Sequence, residues 1–212
     1  MKALLTEFIG TFFLVLTIGL VVAAGSDLAP IAIGSALMAM VYMGGHISGA
    51  HYNPAVSLAL MLRGALAKKD FLPYVGAQVL GATAAAYASS WIVGATWAPS
   101  PASGISSGVA VLAEALFTFA LALVVLNVAV SGKTKGNSYY GLAIGFTVAA
   151  AAAAAGPISG GAFNPAVGIG PTVIHAALSS GEWGPLWIYV VGPCAGAAIA
   201  ALVFDLQEGG KS

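Results

Sequence analysis

Charge is what this 212-residue chain has least of. Asp, Glu, Lys and Arg make up 7% of it, against 59% hydrophobic residues and a mean hydropathy of +0.96. Average globular chains carry about 25% charged residues, so a water-surrounded domain is excluded and the expected partner is the lipid bilayer. Net charge is zero and the bases are scattered, which leaves no basic cluster for nucleic acid. The single cysteine, Cys194, sits in an apolar run and rules out an intrachain disulfide or a cysteine metal site. Paired acids, an activated nucleophile and a cofactor motif are also missing, so neither an enzyme nor a cofactor or metal is expected.

What is present is apolar length. A bilayer core of about 30 Å takes about 20 apolar residues per helix. Six stretches qualify, near 4–25, 30–45, 71–93, 108–131, 138–156 and 184–205. Alternating spans then put Lys2, Arg63, Lys68, Lys69, Lys133, Lys135 and Lys211 on one face. The opposite loops, around Asp27, from Trp97 to Ser107 and around Glu182, hold no Lys or Arg. By the positive-inside rule both termini are expected in the cytoplasm, and Lys133, Lys135 and Lys68-Lys69-Asp70 read as topology-setting loop charges. Met1-Lys2 and the run behind it could also be a signal peptide cleaved after Val22-Ala23-Ala24.

An internal repeat argues against that cleavage. Glu7, Thr11 and Phe12 recur as Glu114, Thr118 and Phe119, an offset of 107. Gly45-x-Ile47-Ser48-Gly49 and Asn53-Pro54-Ala55-Val56 recur as Gly156-x-Ile158-Ser159-Gly160 and Asn164-Pro165-Ala166-Val167, an offset of 111. Tyr74-Val75 and Gly81-Ala82 recur as Tyr189-Val190 and Gly196-Ala197. With three spans per half, the second half enters the membrane from the opposite side. The expected organisation is one domain over 1–212, with inverted repeats at about 1–97 and 105–212.

Each Asn-Pro pair opens a helix, Asn as N-cap and Pro at the first helical position. From Asn53 to about Arg63 that helix rises only about 15 Å, half the hydrocarbon thickness; its partner runs over about 164–175. A half-length helix after an irregular segment leaves backbone groups that only a protein-lined aqueous path can satisfy. Inverted symmetry brings the two N-termini together at the midplane. With each Asn oxygen held by its own helix, the amide nitrogens are expected to point into the path as donors. A water bonded to both has its hydrogens turned outward. That orientation and two positive helix ends disfavour protons and cations.

The segments Ser48-Gly49-Ala50-His51-Tyr52-Asn53-Pro54-Ala55-Val56 and Gly160-Gly161-Ala162-Phe163-Asn164-Pro165-Ala166 resemble the two signature loops of the aquaporin, or major intrinsic protein, family. The resemblance runs along essentially the whole chain. It implies an all-α integral membrane fold, with six transmembrane helices and two re-entrant half-helices in two inverted three-helix repeats. It also implies a homotetramer with one pore per subunit, and Glu7 and Glu114 holding the re-entrant loops.

Carried over from that family, the outer constriction falls on Ile33, Ala152, Gly161 and Val167. Water-selective relatives place aromatic, His and Arg residues there, and glycerol facilitators keep the Arg; here its position holds Val167. An apolar, wider ring is implied, with backbone carbonyls of Gly160, Gly161, Ala162 and Phe163 supplying polar contacts. Plant vacuolar members also carry Val at that point and resemble Gly45-His46-Ile47-Ser48-Gly49-Ala50-His51. His51 either lines the cytoplasmic vestibule or bonds loop backbone; His46 and His175 read as structural. Within the alanine run 149–155 only Ala152 is placed on the pore. Gly76, Gly81, Gly192 and Gly196 suit close helix crossings.

The expected function is a passive channel for water and small uncharged solutes such as glycerol, urea, hydrogen peroxide, ammonia or neutral metalloids, closed to protons and ions. The alternatives are a solute facilitator with little water selectivity, an alternating-access transporter, which also uses inverted repeats, and a closed-pore adhesion protein. Short termini and brief loops fit a prokaryotic inner membrane.

Overall fold

The computed structural model describes residues 1–179 and 183–209. Glu182 and Lys211, assigned above to opposite faces, lie outside the described residues. Among the described residues there are eight α-helices: α1 Lys2–Ala23, α2 Ala29–Ser48, α3 Pro54–Leu62, α4 Lys68–Val93, α5 Ser107–Val125, α6 Tyr140–Ser159, α7 Pro165–Ser179 and α8 Ile188–Glu208. A π-helical turn, Leu126–Val130, extends α5. Five of the six long helices are long and apolar enough to cross a membrane. The sixth, α4, is the longest at 26 residues but carries Lys68, Lys69 and Asp70 in its first turn and Gln78, Ser89 and Ser90 along its buried side.

The packing repeats as the sequence does. α1 lies against α2 and α4, and α5 lies against α6 and α8; α2 meets α6, and α3 meets α7. The half-helices cross over, α3 packing chiefly on α8 and α7 chiefly on α4. Exchanging α1–α4 with α5–α8 leaves this pattern unchanged, the signature of two inverted halves. Arg63 at the end of α3 pairs with Asp205 near the end of α8, and Lys133 lies 3.4 Å from Glu208. The ends of α3, α5 and α8 therefore share one face, the lysine side.

Small residues let the helices close up, as lipid-embedded bundles require. A β-carbon at Gly81 would collide with the Phe8 carbonyl, and one at Gly192 would come within 2.8 Å of the Glu114 side chain. Gly196 is likewise pressed on Ala115 and Phe119. Gly76 departs from the expected crossing: it is exposed on α4, and a side chain there would meet nothing within 4 Å. In the alanine run, Ala149, Ala151 and Ala155 are buried, and Ala149 packs on Gly34 across the α2–α6 contact.

Candidate functional site

Between each long helix and its half-helix the chain makes the same loop twice. Gly49 and Gly160 end α2 and α6 in the left-handed region, at φ 86° and 91°. Ala50 and Gly161 follow at φ 51° and 66°, and Tyr52 and Phe163 at 51° and 49°. Three non-glycine residues in that region are strained and need external support. The support is a buried carboxylate. Glu7, wholly buried in α1, accepts from Ser48 Oγ (2.7 Å), His51 N (3.0 Å), Tyr52 N (2.7 Å) and Gln78 Nε2 (2.8 Å). Glu114, wholly buried in α5, accepts from Ser159 Oγ (2.7 Å), Ala162 N (3.0 Å) and Phe163 N (2.5 Å). Tyr74 and Tyr189 donate to the carbonyls of Ser48 and Ser159 at 2.8 and 2.5 Å.

That support sets the direction of the carbonyls. In a trans peptide the C=O points opposite to the next residue's N–H. The N–H groups of Ala50, His51 and Tyr52 turn to Ser48 and Glu7, so the carbonyls of Gly49, Ala50 and His51 turn away from Glu7. By the same reasoning the carbonyls of Gly160, Gly161 and Ala162 turn away from Glu114. Ala50, His51, Gly161 and Ala162 line a central cavity. Gly160 does not; it is pressed against the Ser100 backbone and the Tyr189 hydroxyl, where a β-carbon would come within 3 Å.

The two asparagines meet in this cavity, each 4% exposed. Asn53 Oδ1 caps α3, accepting from Ala55 N at 2.8 Å and Val56 N at 3.4 Å; Asn164 Oδ1 accepts from Ala166 N at 2.9 Å. Each such cap is worth about 0.5–2 kcal/mol. The amide nitrogens differ from the sequence expectation, because each also bonds across to the opposite loop. Asn53 Nδ2 donates to the Phe163 carbonyl and Asn164 Nδ2 to the Tyr52 carbonyl, both at 2.9 Å. One N–H of each amide therefore braces the halves together, and one is left for the cavity. Pro54, Ala55, Pro165 and Ala166 are buried in the first turns behind them.

The four carried-over positions, Ile33, Ala152, Gly161 and Val167, converge on the same cavity. Apolar side chains that sequence reasoning left unassigned complete its wall: Leu14, Ile18 and Leu37 from one half, Leu121, Val125 and Val148 from the other. The repeat offsets were the signal that finds them, since they pair as Leu14 with Leu121, Ile18 with Val125 and Leu37 with Val148. The volume open to the centre of a water molecule is about 30 Å³, where one water needs about 10–15 Å³. The cavity is a narrow tube. On the lysine side it opens to a vestibule where the same measure is about 530 Å³, lined by Ser131, Thr134, Lys135 and Asn137.

The histidines divide. His51 lines the narrow cavity, and its ring bonds the Ser57 side chain at 3.0 Å instead of loop backbone. His175 bonds Thr96 at 2.8 Å and Ser179 at 2.9 Å, tying α7 to the α4–α5 connection. His46 is exposed on α2, not a packing element. Gln78 and Ser57 were invisible in the repeat, whose equivalent positions hold Pro193 and Gly168.

A bilayer-spanning bundle in which two broken helices meet at a narrow, largely apolar tube is a transmembrane channel. The chain belongs to the major intrinsic protein family, whose model matches residues 1–204. It is 37% identical to aquaporin NIP1-4 of Oryza sativa subsp. japonica, over 97% of this chain and 77% of that one. The glycerol uptake facilitator protein-like 6 of Lactiplantibacillus plantarum is 37% identical, over 95% of both chains, and aquaporin AqpM of Methanothermobacter thermautotrophicus 33%, over 96% of both. The fold matches the X-ray structure of the aquaglyceroporin from Plasmodium falciparum with a TM-score of 0.85, covering 96% of this chain and 95% of that one at 23% identity. Family and fold together define a channel or facilitator for water or small neutral solutes.

Proposed function

We propose that the chain is a homotetrameric channel, one pore per subunit and both termini cytoplasmic. It passes water together with small uncharged solutes such as glycerol, urea, hydrogen peroxide, ammonia or neutral metalloid hydroxides, and turns back ions and protons. The observation that carries this reading is the composition of the tube. Two amide donors stand at its centre, carbonyls on the re-entrant loops, and aliphatic side chains elsewhere. No Lys or Arg stands at the four-residue filter.

Water entering the centre accepts from the free N–H of Asn53 and of Asn164, so its own hydrogens face the two mouths and a proton finds no continuous donor chain. The N-termini of α3 and α7, about half a positive charge each, repel cations at the same point. A fixed guanidinium at position 167 would narrow the filter and add donors; Ile33, Ala152, Gly161 and Val167 do neither, which favours breadth toward glycerol-sized solutes. A relative named as a glycerol uptake facilitator-like protein fits that breadth. The exposed, open face around Gly76 leaves α4 free for close approach by a second copy.

Stopped-flow light scattering on reconstituted liposomes tests the reading. The expected record is fast shrinkage under an impermeant osmolyte, then re-swelling under glycerol or urea that Val167→Arg suppresses while water flux persists. Flux equal to empty liposomes for water and both solutes overturns the open-channel reading. Dissipation of a proton gradient at the same rate as water flux overturns the exclusion.

A further inference from the structure

We propose that solute size is limited on the lysine side of the tube, by the ring Val41, Ala50, Val56 and Ile144, and not by the four-residue filter. The inference rests on the channel reading above. The offset of 111 maps this ring onto the filter, Ile144 to Ile33, Val41 to Ala152, Ala50 to Gly161 and Val56 to Val167. Inverted symmetry therefore places a second ring as far from the paired asparagines on the lysine side as the filter stands on the other.

The two rings are not equally wide. Ile and Val recur unchanged, but Val41 is two carbons larger than Ala152, and Ala50 one carbon larger than Gly161. The backbones match, since Ala50 and Gly161 both sit in the left-handed region, at φ 51° and 66°. The difference is thus side-chain bulk on a common frame. Burial agrees: Val41, Ala50, Val56 and Ile144 are 2%, 7%, 3% and 5% exposed, whereas in the filter only Val167 is buried and the other three are partly open.

Position agrees as well. Ala50 and Ile144 line both the narrow tube and the vestibule, and Val41 lines the vestibule. The ring stands where about 530 Å³ of vestibule contracts to the tube. All four side chains are aliphatic and offer a solute no hydrogen bond, so discrimination here is by cross-section, while the wider filter passes what the ring passes.

Glycerol, urea and water permeabilities in liposomes decide it, comparing the native chain with Ala50→Gly, Val41→Ala, the double variant and Val167→Ala. Expected is a severalfold rise in the glycerol-to-water ratio for each lysine-side variant, larger in the double, with a smaller rise for Val167→Ala. Ala50→Gly keeps the test decisive if Val41→Ala fails to fold, because glycine is at ease at φ 51°. A rise in the ratio for Val167→Ala equal to or larger than for Ala50→Gly overturns the ring assignment and leaves the channel reading intact. Native protein with no flux above empty liposomes overturns the channel reading itself.

Discussion

The two re-entrant loops have the same backbone but are held differently. Around the first, Glu7 meets four donors, and Gln78 and Ser57 continue a polar network to His51. Around the second, Glu114 meets three, and the positions equivalent to Gln78, Ser57 and His51 hold Pro193, Gly168 and Ala162. Duplication preserved the carboxylate and the asparagine, which strained backbone and helix caps require. It did not preserve the links between them. The second loop is supported instead by close packing: Gly168 lies against the Tyr189 β-carbon, Gly160 against Ser100, and the Phe163 ring is tilted at 53° to that of Phe117 with centroids 5.7 Å apart.

Removing the carboxylates gives the largest expected effect. Glu7→Ala and Glu114→Ala each strand two buried backbone N–H groups, at about 1–3 kcal/mol apiece, so each loses roughly 2–6 kcal/mol. Glu7→Ala also strands one buried N–H of Gln78, which keeps only its bond to Ser57, and is the more destabilising, as thermal unfolding in detergent will read. The opposite order breaks the comparison. Next come the asparagines. Asn53→Ala and Asn164→Ala each lose an N-cap, about 0.5–2 kcal/mol, and one cross-brace. Melting temperatures indistinguishable from each other would place the symmetric part of the molecule at its centre, with asymmetry confined to the supports.

Ser57→Ala sharpens the contrast at smaller cost. It removes the hydroxyl between His51 and Gln78 and is expected to lower stability by about 0.5–1.5 kcal/mol. Gly168→Ala, its counterpart, adds a methyl against Tyr189 within 2.5 Å and destabilises by overpacking, about 1–3 kcal/mol. Smallest is Arg63→Ala. Its pairing with Asp205 is partly solvated, so about 0.2–1 kcal/mol is lost, and that loss shrinks in high salt. The end of α7 is held instead by the hydroxyls of Thr96 and Ser179 on His175, and Thr96→Val, which removes no charged partner, should show no such salt dependence.

How much of this the sequence disclosed follows from where the information lies. The duplicated Glu, Asn-Pro-Ala and Ser-Gly positions are local patterns with fixed offsets, so fold, loops and loop supports were legible. The cross-bonds between Asn53 and Phe163, and between Asn164 and Tyr52, depend on how two distant halves dock, which no spacing encodes. Gln78 and Ser57 escape because the second repeat holds Pro193 and Gly168 in their place, so the duplication carries no trace of them. Asp205 escapes because Arg63 reads in the sequence as one more base on the lysine face at the end of a half-helix, and no local pattern ties it to an acid 142 residues on. The π turn at 126–130 has no composition signal; its half-buried carbonyls at Asn127 and Val128 are met by Thr134 and Asn137 from the following loop, at 2.5 and 2.7 Å.

The crossed half-helices carry a consequence for biosynthesis. α3 is made early, yet its chief neighbour is α8, which is made only after the whole second repeat up to α7. Until α8 arrives, α3 lacks its chief neighbour and lies only against elements such as α4 and α5, and until the α6–α7 loop is made the amide of Asn53 has no Phe163 carbonyl to reach. A chain arrested after α4 is therefore not half a working conduit: α3 has α4 but not α8 to lie against, and the amide of Asn53 lacks its partner from the second loop. Completion of the pore therefore waits for the second half of the chain.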